Sequence, residues 1–236
     1  VRSGDSMGKF AYLIELYSDK MDGFKELDGG GDTGYGKTDF MTKLRYSFSE
    51  SHALEFKYSM TDELSDETYL GLTDSDYSSN PLRRYRATAL DEMDADHTQL
   101  MLSYAAKLSD NMTLAVVGYS NDFARNWYKL NKVNGASLGT IANDPTSDGF
   151  SDFYELMDAM DSADDAYRIK ANNREYYSSG IQAVFNVLAG DHDIKAGLRI
   201  HSDEMDRFQW EDRYGMQSGR LVMTTQATKG SDSNRI

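Results

Sequence analysis

Hydrophobic and polar residues alternate with period two along several stretches of the chain. In the stretch 38–48, Phe40 and Leu44 lie on one face, whereas Lys43 and Arg45 lie on the other. Such alternation is typical of a β-strand whose two faces meet different surroundings. The same pattern predicts further strands at 10–16, 54–60, 100–108, 113–119 (extending toward 130), 181–187, 194–201 and 221–226. We therefore expect about eight strands.

The connections between these strands are alternately short and long. Short turns are expected at 49–52, 109–111 and 189–192, whereas long polar segments span 19–36, 61–96, 131–173 and 203–218. In an up-and-down sheet, all short turns then lie at one rim and all long loops at the other, as in outer-membrane barrels. The sequence therefore predicts an all-β fold, an antiparallel up-and-down transmembrane β-barrel segment of about eight strands with long extracellular loops.

The composition of the chain is compatible with the wall of a membrane β-barrel. The 236 residues carry a net charge of −14, contain 12% aromatic residues and no cysteine, and have a mean hydropathy of −0.64. A nucleic-acid partner is not expected because the chain lacks a basic footprint. No run reaches the roughly 18 apolar residues of a membrane helix. A barrel wall keeps a low average hydropathy because only alternate residues face lipid. A soluble acidic β-protein would show the same composition.

Motifs for catalysis, nucleotides and metals are weak. Residues 31–38 match the phosphate-loop pattern G-x-x-x-x-G-K-[ST], but a strand pattern follows them where that motif needs a helix. The four histidines lack metal-ligand spacing, and the acidic group Asp161, Asp164 and Asp165 lacks the spacing of a calcium loop. A short helix is expected around 152–160. We predict no catalytic residue, no metal site and no cofactor.

The basic cluster Arg83, Arg84, Tyr85 and Arg86 stands out in an acidic chain and lies in the long 61–96 segment. Arginines beside a tyrosine could bind an anionic chelate through charge-assisted hydrogen bonds, which makes these four the candidate ligand-binding residues. The alternative is a structural contact with the acidic neighbours Asp91, Glu92 and Asp94.

Several segments resemble TonB-dependent receptors, in particular the ferric-citrate branch. They are 22–27 (DGFKEL), 67–73 (ETYLGLT), 80–85 (NPLRRY), 121–130 (NDFARNWYKL) and 206–210 (DRFQW). The resemblance implies part of a 22-stranded barrel that is filled by a plug and takes up iron chelates across the bacterial cell outer membrane. It implies a ferric chelate as ligand, surrounding outer-membrane lipid, and contact with the TonB complex through a missing N-terminal region.

The chain departs from the complete family pattern. It shows no plug domain, no TonB box and no closing C-terminal strand, and it begins with Val1 without a signal-peptide pattern. We therefore expect residues 1–236 to be a partial barrel domain and not an enzyme. One alternative is a complete eight-stranded membrane barrel, serving as an anchor, adhesin or enzyme, whose first strand near 9–18 would pair with its last near 220–228. Another is a soluble acidic β-protein.

Overall fold

A computed structural model describes residues 1–143, 155–227 and 230–235, and these form one long antiparallel sheet with a cap of loops. The strands are β1 (Arg2–Met7), β2 (Phe10–Met21), β3 (Glu26–Leu27), β4 (Tyr35–Ser47), β5 (His52–Ser65), β6 (Arg83–Arg84), β7 (Glu92–Ser109), β8 (Met112–Val133), β9 (Ala136–Ser137), β10 (Tyr167–Ala189), β11 (His192–Gln217), β12 (Arg220–Thr225) and β13 (Gly230–Arg235). Two short helices, α1 (Asp74–Ser79) and α2 (Leu138–Asn143), lie in the loops. None of the helices in these ranges has the length and apolar character needed to cross a membrane.

Successive long strands are neighbours in the sheet. Its order is β1-β2-β4-β5-β7-β8-β10-β11-β12, with β13 also paired to β11 and β9 to β8. The short strands β3 and β6 form a separate parallel pair in the loops. Every pair within the main sheet is antiparallel, and the sheet is open. The predicted all-β, up-and-down fold is therefore confirmed. Over the described residues, β2 pairs with β1 and β4 and not with β12, so the pairing required by a closed eight-stranded barrel is not present.

Four short turns lie together at one rim of the sheet, at 8–9, 48–51, 110–111 and 190–191. Neighbouring turns are hydrogen-bonded: the Lys107 amide donates to the Ser51 carbonyl at 2.7 Å, and the Leu188 amide donates to the Asn111 carbonyl at 2.9 Å. Gly190 has a φ of 62°, a left-handed conformation that glycine adopts without steric cost. The three short turns predicted from the sequence are therefore at a single rim.

The two faces of the sheet differ as the alternation predicted. One cross-strand row joins Leu44, Phe56, Leu102 and Ile200, whereas the adjacent row on the opposite face joins Lys43 and its partners. The members of this apolar row are largely exposed. The polar face is concave, since it surrounds a hollow of about 980 Å³ at the turn rim that is lined by Arg45, Lys107 and Lys195, among others.

The strands are longer than the alternation predicted, and one predicted loop is wrong. Residues 203–218 lie almost entirely in β11, which stays in register with β10 from His192 to Tyr214. A two-residue turn at Ser218 and Gly219 then joins β11 to β12. This turn lies at the rim that carries the loop cap, so the short turns are not all at one rim. Residues 167–173 and 92–96 also belong to strands. These strand ends carry many charged residues, but they do alternate: Tyr167 and Ile169 are buried under the cap, whereas Arg168 is not.

Further elements were not predicted, among them the short strands β3, β6, β9 and β13. Strand β1 has the polar sequence RSGDSM, which shows no alternation of apolar residues, and the helices α1 and α2 are only six residues long. The helix expected around 152–160 begins outside the described residues, and within them only a short 3-10 turn at Leu156–Asp158 is present. Strand β12 confirms the strand expected near 221–226.

The hydrophobic core lies in the loop cap. Its largest members are Leu130, Ile169 and Tyr167 at the ends of β8 and β10, together with Met216 on β11. Loop residues such as Tyr85, Leu138 and Met157 pack against them. The sheet below the cap is a single layer and buries little of either face, as a wall does when it separates two different surroundings.

Candidate functional site

The predicted arginine cluster lies in the cap, where Arg83 joins three loops. Its guanidinium group contacts Asp28 at 2.9 Å, Asp76 at 2.9 Å and Asp158 at 3.1 Å. These carboxylates come from the β3–β4 loop, from α1 and from the β9–β10 loop. The geometry makes Arg83 a cross-link between loops, and its partners differ from the acidic neighbours suggested by the sequence.

The other members of the cluster are also engaged within the chain. Arg84 is buried, and its Nη2 donates to the main-chain carbonyls of Thr88 at 2.7 Å and Asp91 at 3.0 Å. The Tyr85 hydroxyl donates to Asp76 at 2.6 Å. Arg86 Nε lies 3.3 Å from Asp158. The structure thus brings all four residues together, and their contacts hold the loops of the cap to one another. Direct contact with a ligand stays a prediction.

Asp91 directly precedes β7, and its side chain binds a main-chain amide of β8 that β7 does not reach. It is 1% exposed, and its carboxylate accepts from the Leu130 amide and the Thr68 hydroxyl, each at 2.6 Å. Burial raises the pKa of this carboxyl group to about 7, although Thr68, Leu130 and Arg84 oppose the shift. A loop segment is therefore attached to the sheet through one buried acid.

A row of arginines crosses the concave face near the cap. Arg125 on β8 is in register with Arg174 on β10, which is in register with Arg207 on β11. Residues paired in this way lie on one face with Cα atoms about 5 Å apart. The next position beyond Arg125 is Ala95, whereas β13 places Asp232 beside Arg207. Arg125 and Arg174 therefore have no carboxylate at the neighbouring positions of their row.

The guanidinium group of Arg174 is only partly hydrogen-bonded by the described residues. Its Nη1 donates to the Tyr176 hydroxyl at 3.2 Å, and Arg125 also interacts with that hydroxyl. Its Nε is buried and has no hydrogen-bond partner in the part of the chain that the structure describes. An unsatisfied buried donor on a cation is costly, so this nitrogen can accept a further hydrogen-bonding partner.

Further cations lie above this row toward the cap. Lys129 is in register with Lys170, and the Lys129 ammonium lies 3.7 Å from the Trp127 ring centre and 3.8 Å from that of Tyr69. This cation–π sandwich attaches the β5–β7 loop to the sheet. Glu211 on β11 is in register with Lys170 and offsets part of this charge, so the positive charge on the face is concentrated at the arginine row.

Sequence reasoning missed this row although part of the signal was present. Arg125 stands between Phe123 and Trp127 in an alternating stretch, but Arg207 lies in the segment predicted as a loop. Arg174 follows directly after another predicted loop. Only the register of three adjacent strands brings these residues together.

A hydrogen-bonded chain crosses the middle of the same face. The Tyr119 hydroxyl lies 2.6 Å from His201 Nδ1 and accepts from Arg199 Nε at 3.0 Å. His201 Nε2 lies 2.8 Å from Asp203. The Tyr119 ring reaches across β10 at Gly180, the residue between Tyr119 and His201 in register.

Gly180→Ala is expected to separate Tyr119 from His201 and to lower the thermal midpoint of the protein. An added Cβ would lie 2.6 Å from the Tyr119 hydroxyl and 2.6 Å from the Ile200 carbonyl, and overpacking of this kind costs about 1–3 kcal/mol. Circular dichroism measures the midpoint. Gly118→Ala is the matched control, because the nearest atom to its Cβ is 4.0 Å away. Equal midpoints for the two variants would contradict the expectation.

The remaining sequence motifs do not form a site. The glycine-rich segment at 31–38 runs into β4 and not into a helix, so it lacks the helix N-terminus of a phosphate loop. Over the described ranges, no group of three or more acidic or histidine side chains is arranged to hold a metal ion.

Comparisons with known proteins identify the fold. No family model matches the sequence, and no curated protein matches it. The structure is similar to the ferric citrate transporter FecA in its unliganded form, with a TM-score of 0.58 and 14% identity, over 97% of this chain and 29% of FecA. It is also similar to the ferric-catecholate import receptor Fiu from E. coli K12, with a TM-score of 0.55 and 10% identity, over 99% of this chain and 34% of Fiu.

The chain spans about a third of the length of these two receptors. Its open antiparallel sheet, with short turns at one rim and a loop cap at the other, has the fold of part of such a receptor.

Proposed function

We propose that this chain is a wall segment of a bacterial outer-membrane receptor that takes up anionic iron chelates. The apolar face contacts outer-membrane lipid, the concave face lines the interior, and the capped rim faces the outside. Uptake would draw energy from TonB through a region outside this segment. Support comes from the similarity of the fold to FecA and Fiu and from the opposite polarity of the two faces.

The observation that carries the proposal is the row of Arg125, Arg174 and Arg207 on the concave face. Like charges placed opposite each other on a sheet are destabilising by about 0.2–1 kcal/mol per pair, so a bound anion would relieve this cost. Guanidinium groups also match carboxylate and similar oxyanions through two parallel hydrogen bonds.

The position of the row suits ligand capture. It lies between the loop cap and the middle of the concave face, and a basic patch on the wall of a cleft concentrates anions there. The cap residues Arg83, Arg84, Tyr85 and Arg86 would support capture by holding three loops in place, in addition to the direct ligand contact predicted from the sequence. The mechanism is binding and gated passage without covalent chemistry.

The test is equilibrium binding of ⁵⁵Fe-labelled chelates to the full-length protein in outer-membrane vesicles. We expect binding of at least one anionic ferric chelate, and a loss of affinity of roughly 100-fold in Arg125→Gln/Arg174→Gln, since a hydrogen bond to a charged group contributes about 1.5–3 kcal/mol. Binding should also weaken as salt is raised.

The matched control is Arg45→Gln, on the same face but at the turn rim. It should bind as the wild type does. If ferric citrate and a ferric catecholate both fail to bind the wild-type protein, the proposed function is wrong. Equal affinity of the double variant and the wild type would show that the arginine row is not the site.

A further inference from the structure

A row of carboxylates crosses the outward face of the sheet, on the cap side of its apolar part. It contains Asp62 on β5, Asp96 on β7, Glu175 on β10 and Asp206 on β11, with only Ala124 of β8 between the two halves. Asp62 is directly opposite Asp96, and Glu175 is directly opposite Asp206. Residues paired in this way have Cα atoms about 5 Å apart, and opposed like charges destabilise a sheet. Each pair therefore favours a cation between its carboxylates.

Basic side chains do not offset this charge within the described strands. From β5 to β11, neither this row nor the row on either side contains a lysine or an arginine. None of the four acids forms an ion pair among the described residues. Arg235 of β13 is in register with Glu204, one row nearer the turns. Glu175 accepts a hydrogen bond from the neutral Tyr177 hydroxyl at 2.6 Å. The row thus keeps its negative charge.

A buried oxygen beside the row lacks a hydrogen-bond donor. Asn126 lies on the same outward face, in the next row toward the cap, and is in register with Asp94. Its Oδ1 is buried, and no group in the part of the chain that the structure describes donates to it. Amide and carboxylate oxygens are the ligands that Ca²⁺ and Mg²⁺ prefer. This oxygen indicates a cation independently of the charges in the row.

The acidic row lies at the height of lipid headgroups. The outward apolar residues of β7 run from Leu108 to Leu100 around Tyr104, and Asp96 is eight residues beyond Tyr104. At about 3.3 Å per residue and a tilt of about 45°, Asp96 is roughly 19 Å from the middle of the apolar zone. Headgroups occupy roughly 15–22 Å from the middle of a bilayer. Asp62 and Asp96 are exposed, so the cap does not cover them. Phosphate groups at this height are repelled unless cations lie between.

We infer that this acidic row binds divalent cations that join the wall to phosphate-bearing lipid headgroups, an inference that rests on the proposed function. Over the described residues, the protein offers no group of three or more acids or histidines that holds a metal ion by itself. Phosphate oxygens therefore supply the remaining ligands, and both Ca²⁺ and Mg²⁺ accept such mixed sets of oxygen ligands. The cation converts the repulsion between wall and headgroup into attraction.

The experiment measures the lipid selectivity of the full-length protein in phosphatidylcholine vesicles by electron paramagnetic resonance. Spin-labelled phosphatidic acid reports the share of that lipid held at the protein surface, and spin-labelled phosphatidylcholine is the reference. We expect phosphatidic acid to associate roughly three- to fivefold more strongly with Mg²⁺ present than with EDTA, the size expected for exposed charge interactions.

The variant Asp62→Asn/Asp96→Asn removes one opposed pair and should reduce this Mg²⁺ effect by about half or more, because the second pair remains. The matched control is Asp39→Asn/Glu63→Gln, which removes the same charge from the concave face of β4 and β5. It should retain the full Mg²⁺ effect. A variant that folds incorrectly is recognised by a changed share of surface-held phosphatidylcholine.

Equal association of phosphatidic acid with Mg²⁺ and with EDTA in the wild type would overturn the inference and leave the proposed function intact. An undiminished Mg²⁺ effect in Asp62→Asn/Asp96→Asn would also overturn it. Displacement of phosphatidic acid by inorganic phosphate would show that the cations recruit free phosphate and not the lipid. Absence of any surface-held lipid, phosphatidylcholine included, would instead refute the proposed lipid-facing wall.

Discussion

Replacement of Gly34 by alanine is expected to open the loop end of the sheet between β2 and β4, at a cost of about 3 kcal/mol or more. Gly34 is buried immediately before β4, and an added Cβ would lie 1.9 Å from the Met21 carbonyl and 2.7 Å from the Asp22 carbonyl carbon. These are main-chain atoms, so a side-chain rotation cannot relieve the overlap. Either the last β2–β4 pair, Met21 with Tyr35, separates, or the 22–34 loop moves.

The consequence would reach the arginine cross-link, because the 22–34 loop carries Asp28 to Arg83. Hydrogen–deuterium exchange of the full-length protein should show faster exchange in peptides covering 19–22 and 34–37, and at the Asp66 amide, which donates to the Gly34 carbonyl at 2.8 Å. Gly36→Ala is the matched control, two residues along the same strand with no atom within 4 Å of its Cβ. Wild-type exchange in Gly34→Ala would show that the loop end is not packed as described.

Asp91→Ala is expected to detach the β5–β7 loop from β8, with a local cost of about 2–4 kcal/mol. The substitution leaves the buried Leu130 amide and Thr68 hydroxyl without their acceptor and removes the carboxylate nearest the buried Arg84. Unsatisfied buried groups and unpaired buried charges are among the most destabilising defects. Exchange at Leu130 and in the 84–91 segment is the measurement.

The contribution of Asp91 should also depend on pH. Burial raises its pKa to about 7 in the folded protein, above its usual 3.8. The folded cap therefore favours the protonated acid, and its stabilising contribution is complete below about pH 4 and is lost as the pH rises through 7. Exchange at Leu130, corrected for intrinsic rates, should reveal a less stable cap at pH 8 than at pH 5.

Asp91→Asn provides the control for that dependence. It retains an acceptor for Leu130 and carries no charge, so the difference between pH 5 and pH 8 should largely disappear. A cap that is equally stable at both pH values in the wild type, or a persistent pH difference in the Asn variant, would show that Asp91 is not the titrating group.

The part of the sheet nearest the short turns could be predicted from the sequence, because each residue there faces either the apolar or the polar side of the sheet. Alternation such as Phe40, Thr42 and Leu44 against Met41 and Lys43 specifies a strand, its inward and outward faces, and with them the register of its neighbours. Once the strands were assigned, the short turns between them and the all-β fold class could also be predicted.

The upper part could not be predicted in the same way. The segment around Asp203 and Glu204 is polar on both sides and has the composition of a loop, although it lies in β11. Beyond it, the apolar side of β10 and β11 is buried by loops of the cap, and local alternation does not show what will cover it. The residue contacts in the cap, such as Arg83 with Asp158, join positions far apart in the chain, and no local pattern specifies which carboxylate an arginine will meet.

The amino-acid sequence by itself determined that this protein is an antiparallel sheet with one apolar and one polar face, because period-two burial is a local property of a strand. Only the tertiary structure decided where its charges meet. Arg125, Arg174 and Arg207 form a row because three long strands align in one register, and that register depends on contacts summed over the whole length of β8, β10 and β11.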